Sequence, residues 1–259
     1  MDKVKFAQAL QKEVSSFNDA VATDDGDWII KGFIDVAKNI YALSIDTKVI
    51  SKILELLLIP RLTDFARKYQ LKMVLVEYQN HYPDVSFIDE EGNRFAVDLK
   101  STYRKNKNRV NGMTLGAFTG YFRLDESSKN ITFPYDSYCA HFVLGIIYSK
   151  SETVIDEQKK FTIADLEHIP SVIHDFQFFV QEKYRIASDR PGSGNTKNIG
   201  SVTRIETLVY GKGPFANLGE PIFRDYWRFY LTADMARAAE LPEPPYHNLE
   251  TYLSYRGLR

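Results

Sequence analysis

Two aspartates and a lysine that lie close together in the sequence could bind a divalent cation and act on a phosphodiester. Asp84 follows a proline, and one residue separates Asp98 from Lys100. Side chains two positions apart on a β-strand point to the same side, so Asp98 and Lys100 should share one face. Carboxylate oxygens suit Mg²⁺, and a nearby ammonium can stabilise a phosphate or orient a water nucleophile. These residue types therefore favour metal-assisted phosphodiester hydrolysis.

A predicted β-hairpin would bring the two aspartates together. Two strand-like runs flank the loop Glu90–Gly92, and a three-residue hairpin loop favours glycine at its last, left-handed position. When the apolar residues of the two runs pair with each other, Asp84 lies opposite Asp98. Opposed side chains have Cβ atoms about 4.5–5.5 Å apart, and two carboxylates at such a distance favour a cation between them. An exposed hairpin with acidic and basic side chains on its solvent face is the alternative interpretation.

A basic segment follows the hairpin directly. Residues 100–109 contain five Lys or Arg side chains and no acidic residue, whereas the whole chain has 33 Lys plus Arg against 34 Asp plus Glu. A basic surface can therefore only be local, and beside a metal site it could bind a phosphate backbone. A solvated basic loop is the alternative.

Residues 188–201 form a glycine-rich, polar segment that is predicted to be a surface loop. It lacks the lysine-then-hydroxyl ending of a nucleotide-binding P-loop, which argues against ATP binding. Small residues with amide and hydroxyl groups can enter the major groove of DNA, where asparagine can bind adenine. A surface loop without a ligand is the alternative.

Hydrophobic periodicity predicts an α/β protein, with helices before and after a group of short strands. The expected elements are helices over 3–18, from Asp46 to Pro60, from Leu62 towards Tyr69 and within 220–259, and strands over 73–77, 85–88 and 95–99. The apolar run 138–148 fits a buried strand or a buried helix. The predicted fold class is therefore a mixed central β-sheet flanked by helices.

The composition indicates a soluble globular protein, with 44% hydrophobic and 26% charged residues. A lone cysteine, Cys139, excludes an internal disulfide and a thiolate metal site. The longest apolar stretch is too short to span a bilayer, and Met1–Lys5 lacks the apolar core of a signal peptide. We therefore predict a cytoplasmic protein that forms one domain over residues 1–259 and does not bind membranes.

Several segments together resemble the EcoRV-like type II restriction endonucleases, which belong to the PD-(D/E)xK nuclease superfamily. The resemblance covers about residues 44–148 and resumes in the last third of the chain. It is carried by Ser44–Val49, Gln79–Asp84, Asp98–Lys100, Gly192–Thr196, Asn198–Ser201, Asp225–Arg228 and Tyr255–Gly257. The Asn-His-Tyr-Pro-Asp run and the glycine loop are much more specific than the catalytic pattern. Lys197, which replaces a threonine after the loop, is a departure from the family. The resemblance implies a restriction-endonuclease-like core.

The resemblance assigns roles to individual residues. Asp84 and Asp98 would be the metal-binding acids and Lys100 the catalytic lysine. Glu55 matches an acidic residue beside the active site and would be a further catalytic residue and metal ligand. The expected DNA-binding residues, from the resemblance and from the basic segment, are Gln79, Asn80, Thr102, Arg104, Lys105, Thr114, Thr119, Lys129, Gly192, Ser193, Gly194, Asn195, Thr196 and Lys197.

The expected function is a Mg²⁺-dependent endonuclease that cuts a short palindrome in double-stranded DNA, with GATATC cut centrally to blunt, 5′-phosphate ends. A homodimer with an N-terminal dimerisation region and DNA-reading loops around 78–81 and 190–201 would match the two-fold symmetry of the site. A cognate DNA methyltransferase is expected in the same system. A repair or junction-resolving nuclease and a non-catalytic DNA-binding module are the alternatives.

Overall fold

The computed structural model describes residues 1–78, 80–124, 126–153, 156, 158–192 and 196–258. The helices are α1 (Lys3–Val14), α2 (Thr47–Lys68), α3 (Lys183–Ile186), α4 (Ile205–Tyr210), α5 (Gly219–Phe229), α6 (Ala233–Ala238) and α7 (Leu249–Tyr255). The strands are β1 (Gly32–Ile34), β2 (Ile40–Ala42), β3 (Lys72–Leu75), β4 (Val85–Ile88), β5 (Arg94–Asn106), β6 (Arg109–Val110), β7 (Thr114–Ala117), β8 (Tyr138–Lys150), β9 (Lys160–Phe161), β10 (Ile173–Glu182), β11 (Ala187–Pro191) and β12 (Asn198–Ser201). Among the described helices, none is long and apolar enough to cross a membrane.

A mixed β-sheet forms the centre of the molecule. Its strand order is β10-β8-β5-β4-β3, and β6 pairs with the outer part of β5. The β5–β8 pair is parallel, whereas the other pairs are antiparallel. Two smaller sheets have the orders β1-β2-β9 and β11-β12-β7. With helices packed on the central sheet, the predicted α/β class is confirmed.

The β4–β5 hairpin has the register expected from its apolar residues. Val85 pairs with Val97 and Phe87 with Phe95. Gly92 has φ +84°, which is the left-handed conformation that the loop requires. Ser86 lies on the opposite side of the hairpin from these apolar residues and is fully buried. The hairpin therefore lacks the solvent-exposed face that the alternative interpretation requires at this position. A second layer of the protein covers that side.

Helices α1 and α2 cover one face of the central sheet. Asp46 caps α2 as predicted, since its side chain accepts hydrogen bonds from the backbone N–H groups of Lys48 and Val49. Phe6 of α1 is fully buried, and its ring stacks on Phe95 of β5 with centroids 4.3 Å apart. This face is an apolar core of aliphatic side chains and phenylalanines.

Helix α2 continues through Pro60, so the predicted break at that residue is wrong. Proline removes one helical hydrogen bond and usually kinks a helix. Leu58 before the proline and Leu62 after it are both fully buried against the same core. Their burial on a common face holds the two halves of α2 in line.

Strand formation is more extensive than the sequence predicts. The run 138–148 is resolved as the strand β8, and β5 extends far past Leu99 into the basic segment because β8 pairs with it along its length. The basic segment is therefore mostly strand, and the loop interpretation of it is wrong. The predicted loop 188–201 begins and ends in the strands β11 and β12. Helix α1 ends at Val14, before the expected boundary.

The other face of the central sheet carries a second core that is rich in aromatic and polar side chains. Helix α5 contributes Tyr226 and Trp227, both fully buried. This core includes Ala96 of β5 and Tyr82, which lies two residues before Asp84. The β4–β5 hairpin is thus enclosed between two layers of different chemical character.

Candidate active site

Asp84, Asp98 and Lys100 meet where β4 begins. Lys100 Nζ lies 2.7 Å from Asp98 Oδ2 and 3.8 Å from Asp84 Oδ2. The backbone N–H of Leu99 donates to Asp84 Oδ2 over 2.7 Å. Because Leu99 lies between Asp98 and Lys100 on β5, this bond fixes the carboxylate of one strand against the other. The predicted grouping of the three side chains is present in the structure.

Burial strengthens the electrostatic coupling of these groups. Only 7% of the Asp98 side chain is exposed. Burial, and then the charge of Asp98, raise the pKa of Asp84 to about 7. Burial alone would lower the pKa of Lys100, but Asp98 and Asp84 more than compensate and raise it above its ordinary value. The lysine is therefore a persistent cation, whereas the carboxylate pair has an excess of negative charge.

The carboxylate pair suits a divalent cation. Burial, and then the charge of Asp98, disfavour the negative form of Asp84 and raise its pKa, and a bound cation would favour that negative form. Within the described part of the chain, no three His, Cys, Asp or Glu side chains are grouped to ligate one ion. This is compatible with Mg²⁺, which commonly binds one or two carboxylates and takes its other oxygens from water and substrate phosphate.

Glu55 lies on α2 and faces the same cleft. The cleft measures about 610 Å³, and Asp84 and Lys100 also line it. The carboxylate of Glu55 pairs with Lys52 Nζ at 2.6 Å, and its charge helps to raise the pKa of Lys100. The structure brings Glu55 to the active-site cleft, but it does not group Glu55 with the two aspartates as a third ligand. Lys52, which the sequence analysis did not identify, adds a cation to this wall.

Thr102 and Thr114 line the far wall of the cleft. Thr102 is buried, and its hydroxyl donates to the carbonyl of Asn111 over 2.6 Å. Thr114 is exposed at the start of β7, where it pairs with Gly200 of β12. Strand β12, which begins directly after Lys197, therefore pairs with the strand that carries Thr114 into the cleft.

The glycine segment is partly outside the described residues. Ser193, Gly194 and Asn195 are not described, whereas Gly192, Thr196 and Lys197 are. A Cβ atom on Gly200 would lie 3.0 Å from the Cα of Gly192, so the two strands approach closely at glycines. Lys197 is exposed, and its carbonyl accepts from the N–H of Phe118 beyond β7.

The cations of the basic segment have different surroundings. Arg104 forms an ion pair with Asp175 at 3.1 Å and also donates to its carbonyl, so its guanidinium is already engaged within the fold. Lys105 and Lys107 are exposed. Arg109 is exposed and donates to the hydroxyl of Thr203 over 3.3 Å.

The remaining predicted DNA contacts are Asn80, Lys129, Thr119 and Gln79. Asn80 is exposed and reaches Asn130, next to the exposed Lys129, over 3.5 Å. Thr119 precedes a short 3₁₀ turn and is half-buried. Gln79 lies outside the described residues.

Sequence reasoning missed a buried cluster beneath the aspartates. His141 is the hydrogen-bonded core histidine that its apolar surroundings predict, with Nδ1 2.9 Å from the hydroxyl of Tyr82 and Nε2 3.2 Å from the carbonyl of Tyr135. Burial and the charge of Lys183 hold the pKa of His141 far below its ordinary value. Lys183 itself lies in a polar run of the sequence, which gave no signal that its side chain is buried.

Most of the chain is similar to known restriction endonucleases. A family model described as restriction endonuclease EcoRV matches residues 24–257. The type II restriction enzyme EcoRV of Escherichia coli is 35% identical over 248 residues, which cover 94% of this chain and 98% of that protein. Among solved structures, the NlaIV restriction endonuclease aligns over 96% of this chain and 95% of its own, with a TM-score of 0.43 and 10% identity. The family model and the Escherichia coli enzyme each match most of the chain, and on their evidence this chain belongs to the EcoRV family of type II restriction endonucleases.

Proposed function

We propose that this restriction endonuclease cuts double-stranded DNA at GATATC, between the central T and A, and leaves blunt ends with 5′-phosphates. We further propose that it uses Mg²⁺ held by Asp84 and Asp98. The observation that carries the proposal is the pair of opposed carboxylates with Lys100 between them. Membership of the family supports the restriction activity, and the arrangement of the two carboxylates with Lys100 supports metal-assisted hydrolysis of a phosphodiester.

The side chains of the site divide the reaction among them. Mg²⁺ bound by the aspartates would polarise the scissile phosphate and lower the pKa of the attacking water. The N–H of Leu99 fixes Asp84 and the ammonium of Lys100 fixes Asp98, so both carboxylates are held in place beside each other. The ammonium of Lys100 can donate to a phosphate oxygen and stabilise the charge that develops there. Glu55 faces the same cleft and would modulate the charge of Lys100.

The proposed sequence preference depends on similarity to the family in the segment Gly192–Thr196. Its asparagine can bind an adenine bidentately, and its glycines let the backbone approach base edges. The central TA step is the easiest to unstack, so it can be selected through deformation without a base contact. Asn195→Ala should then cost about 1–3 kcal/mol of discrimination at one outer base pair of each half-site. Lys197 is the change most able to alter the preference for flanking bases.

A homodimer would match a palindromic site, with one strand cut by each subunit. The small β1-β2-β9 sheet supports this proposal, because its strand β1 exposes Phe33 and Ile34, and Val36 in the connection that follows β1 is fully exposed. Exposed apolar side chains grouped in this way are typical of protein interfaces. We expect sedimentation to show a dimer, and we expect Phe33→Ser together with Ile34→Ser to shift it towards a monomer.

The test of the proposal is a plasmid digest followed by sequencing of the ends. With Mg²⁺, discrete fragments that end in GAT and ATC halves are expected, and none in EDTA. Ends of any other sequence would refute the proposed site while leaving the family assignment intact. Nicking at junctions or damaged bases would instead favour a repair nuclease, and no cutting would favour a DNA-binding module. A plasmid methylated at the site should resist, as the expected cognate methyltransferase requires.

A further inference from the structure

Lys183 is buried without a hydrogen-bond partner. Only 2% of the residue is exposed, and among the described residues its Nζ has no donor or acceptor contact. Burying an unpaired ammonium is costly, and an apolar side chain of similar size would ordinarily be more stable there. A lysine at such a position therefore requires another explanation.

Aromatic rings surround the ammonium instead of hydrogen-bond acceptors. Lys183 Nζ lies 4.6 Å from the ring centroid of Tyr82, 5.4 Å from that of Tyr135 and 5.6 Å from that of Phe122. Ring faces attract a cation, most strongly where water is excluded. Tyr82 is two residues before Asp84, so the ring closest to the ammonium belongs to the segment that positions a catalytic carboxylate.

Lys183 also interacts with the second carboxylate. Burial lowers the pKa of Lys183 to about 8, and the charge of Asp98 opposes part of that shift. Lys100 forms an ion pair with Asp98 directly, and the charge of Asp98 also acts on Lys183 in the protein interior. The ammonium therefore lies over the ring of Tyr82, two residues before one aspartate, and interacts electrostatically with the other aspartate.

Lys183 lies between the candidate active site and the small β11-β12-β7 sheet, which flanks the glycine segment that we propose reads DNA. Lys183 begins α3, which joins the central-sheet strand β10 to β11. A Cβ atom on Gly116 of β7 would lie 3.4 Å from Lys183 Nζ. Strand β7 pairs with β12 and carries Thr114 into the cleft. The buried ammonium lies where the catalytic hairpin and the β11-β12-β7 sheet meet.

We propose that Lys183 is a positioning residue for the cleavage reaction, whose buried charge holds Tyr82 and Asp98, and through them the carboxylate pair, in the geometry that binds the cation. This inference rests on the proposed metal-dependent cleavage. It assigns the lysine no contact with DNA and no proton transfer.

The experiment compares the parent enzyme with Lys183→Met and Lys183→Arg. Lys68→Met is the matched control, since Lys68 is an exposed lysine whose ammonium also lies over a ring, 5.7 Å from the centroid of Tyr69. Three quantities are measured: urea unfolding in EDTA, affinity in EDTA for a duplex with the site mapped from the parent digest, and single-turnover cleavage at saturating DNA and Mg²⁺. Lys183→Met should unfold at the same or higher urea concentration and bind DNA within about threefold of the parent, yet cleave at least about tenfold more slowly.

The relative cleavage rates of Lys183→Arg and Lys183→Met distinguish a role of the charge of Lys183 from a role of its shape. The arginine side chain is larger than that of lysine, whereas the methionine side chain is not. If Lys183 had only a steric role, Lys183→Arg would therefore be the less active variant. A role of the charge makes Lys183→Arg the more active one. Cleavage by Lys183→Met within about threefold of the parent, or Lys183→Arg below Lys183→Met, would overturn the proposal. If Lys183→Met does not fold, Lys183→Gln takes its place. Failure of the parent to cleave would refute the proposed function itself, before any variant is compared.

Discussion

The two faces of the central sheet differ in what they bury. The face under α1 and α2 is packed with side chains such as Phe6 and Leu58, which are fully buried and apolar. The opposite face buries Asp98, His141 and Lys183 among tyrosines and tryptophan. Burial of apolar area stabilises a fold, whereas burial of charges costs stability unless they are paired. The first face therefore stabilises the fold, and this stability offsets the cost of burying charged and polar groups on the second face, where the candidate active site lies.

The largest effect should follow from a change of charge on the second face. Asp98→Asn keeps the shape and an oxygen acceptor for Lys100 but removes the negative charge that we propose binds the cation. Single-turnover cleavage with Mg²⁺ should fall by about a thousandfold or more, while duplex binding in EDTA is kept or strengthened. Cleavage near the parent rate would contradict the role given to Asp98.

A change on the first face should affect stability and leave the chemistry intact. Leu10 is fully buried on α1, and Leu10→Ala should lower the free energy of unfolding by about 2–5 kcal/mol in urea titrations. Val4 on the same helix is largely exposed, so Val4→Ala should change stability by less than about 0.5 kcal/mol. Below its unfolding transition, Leu10→Ala should cleave at the parent rate per folded molecule. A loss of cleavage without a loss of stability would mean that the faces are not separate in function.

Local patterns predicted the β4–β5 hairpin because one glycine turn and one alternation of apolar residues determine its register. Gly92 set the loop, and the pairing of Phe87 with Phe95 set the register that places Asp84 beside Asp98. The extension of β5 through the basic segment could not be seen locally, since it depends on pairing with the distant strand β8.

The second core was harder to predict for the same reason. Lys183 is buried only because rings from three separate segments meet around it.

Glu55 resembled an ordinary exposed glutamate on its helix, and only the packing of α2 beside β5 brings it to the cleft. The family resemblance, and no local pattern, identified Glu55 in advance.

The pH dependence of stability should reveal the excess negative charge on the second face. Burial and Asp98 raise the pKa of Asp84 from 3.8 to about 7. Protonated Asp84 therefore stabilises the fold fully below about pH 4, and this contribution is lost as the pH rises through about 7. In EDTA, the free energy of unfolding should fall between about pH 5 and pH 8 by on the order of 2 kcal/mol more for the parent than for Asp84→Asn. Mg²⁺ should restore the parent at the higher pH, and parallel pH profiles in EDTA would contradict the coupling.

The smallest expected effect is on the salt dependence of DNA binding, and it concerns the cations at the outer end of β5. Some of these cations are exposed, and one forms an ion pair within the fold. Lys105 and Lys107 are exposed, whereas the guanidinium of Arg104 pairs with Asp175. If the exposed lysines contact phosphates, each substitution by alanine should lower the slope of log affinity against log salt by about one unit. Arg104→Gln should leave that slope unchanged and lower stability instead, because its ion pair is internal to the fold. If the double variant Lys105→Ala with Lys107→Ala has the same slope as the parent, these lysines are only solvated. A lower slope for Arg104→Gln would mean that DNA displaces Asp175 from the guanidinium, and that this end of β5 rearranges on binding.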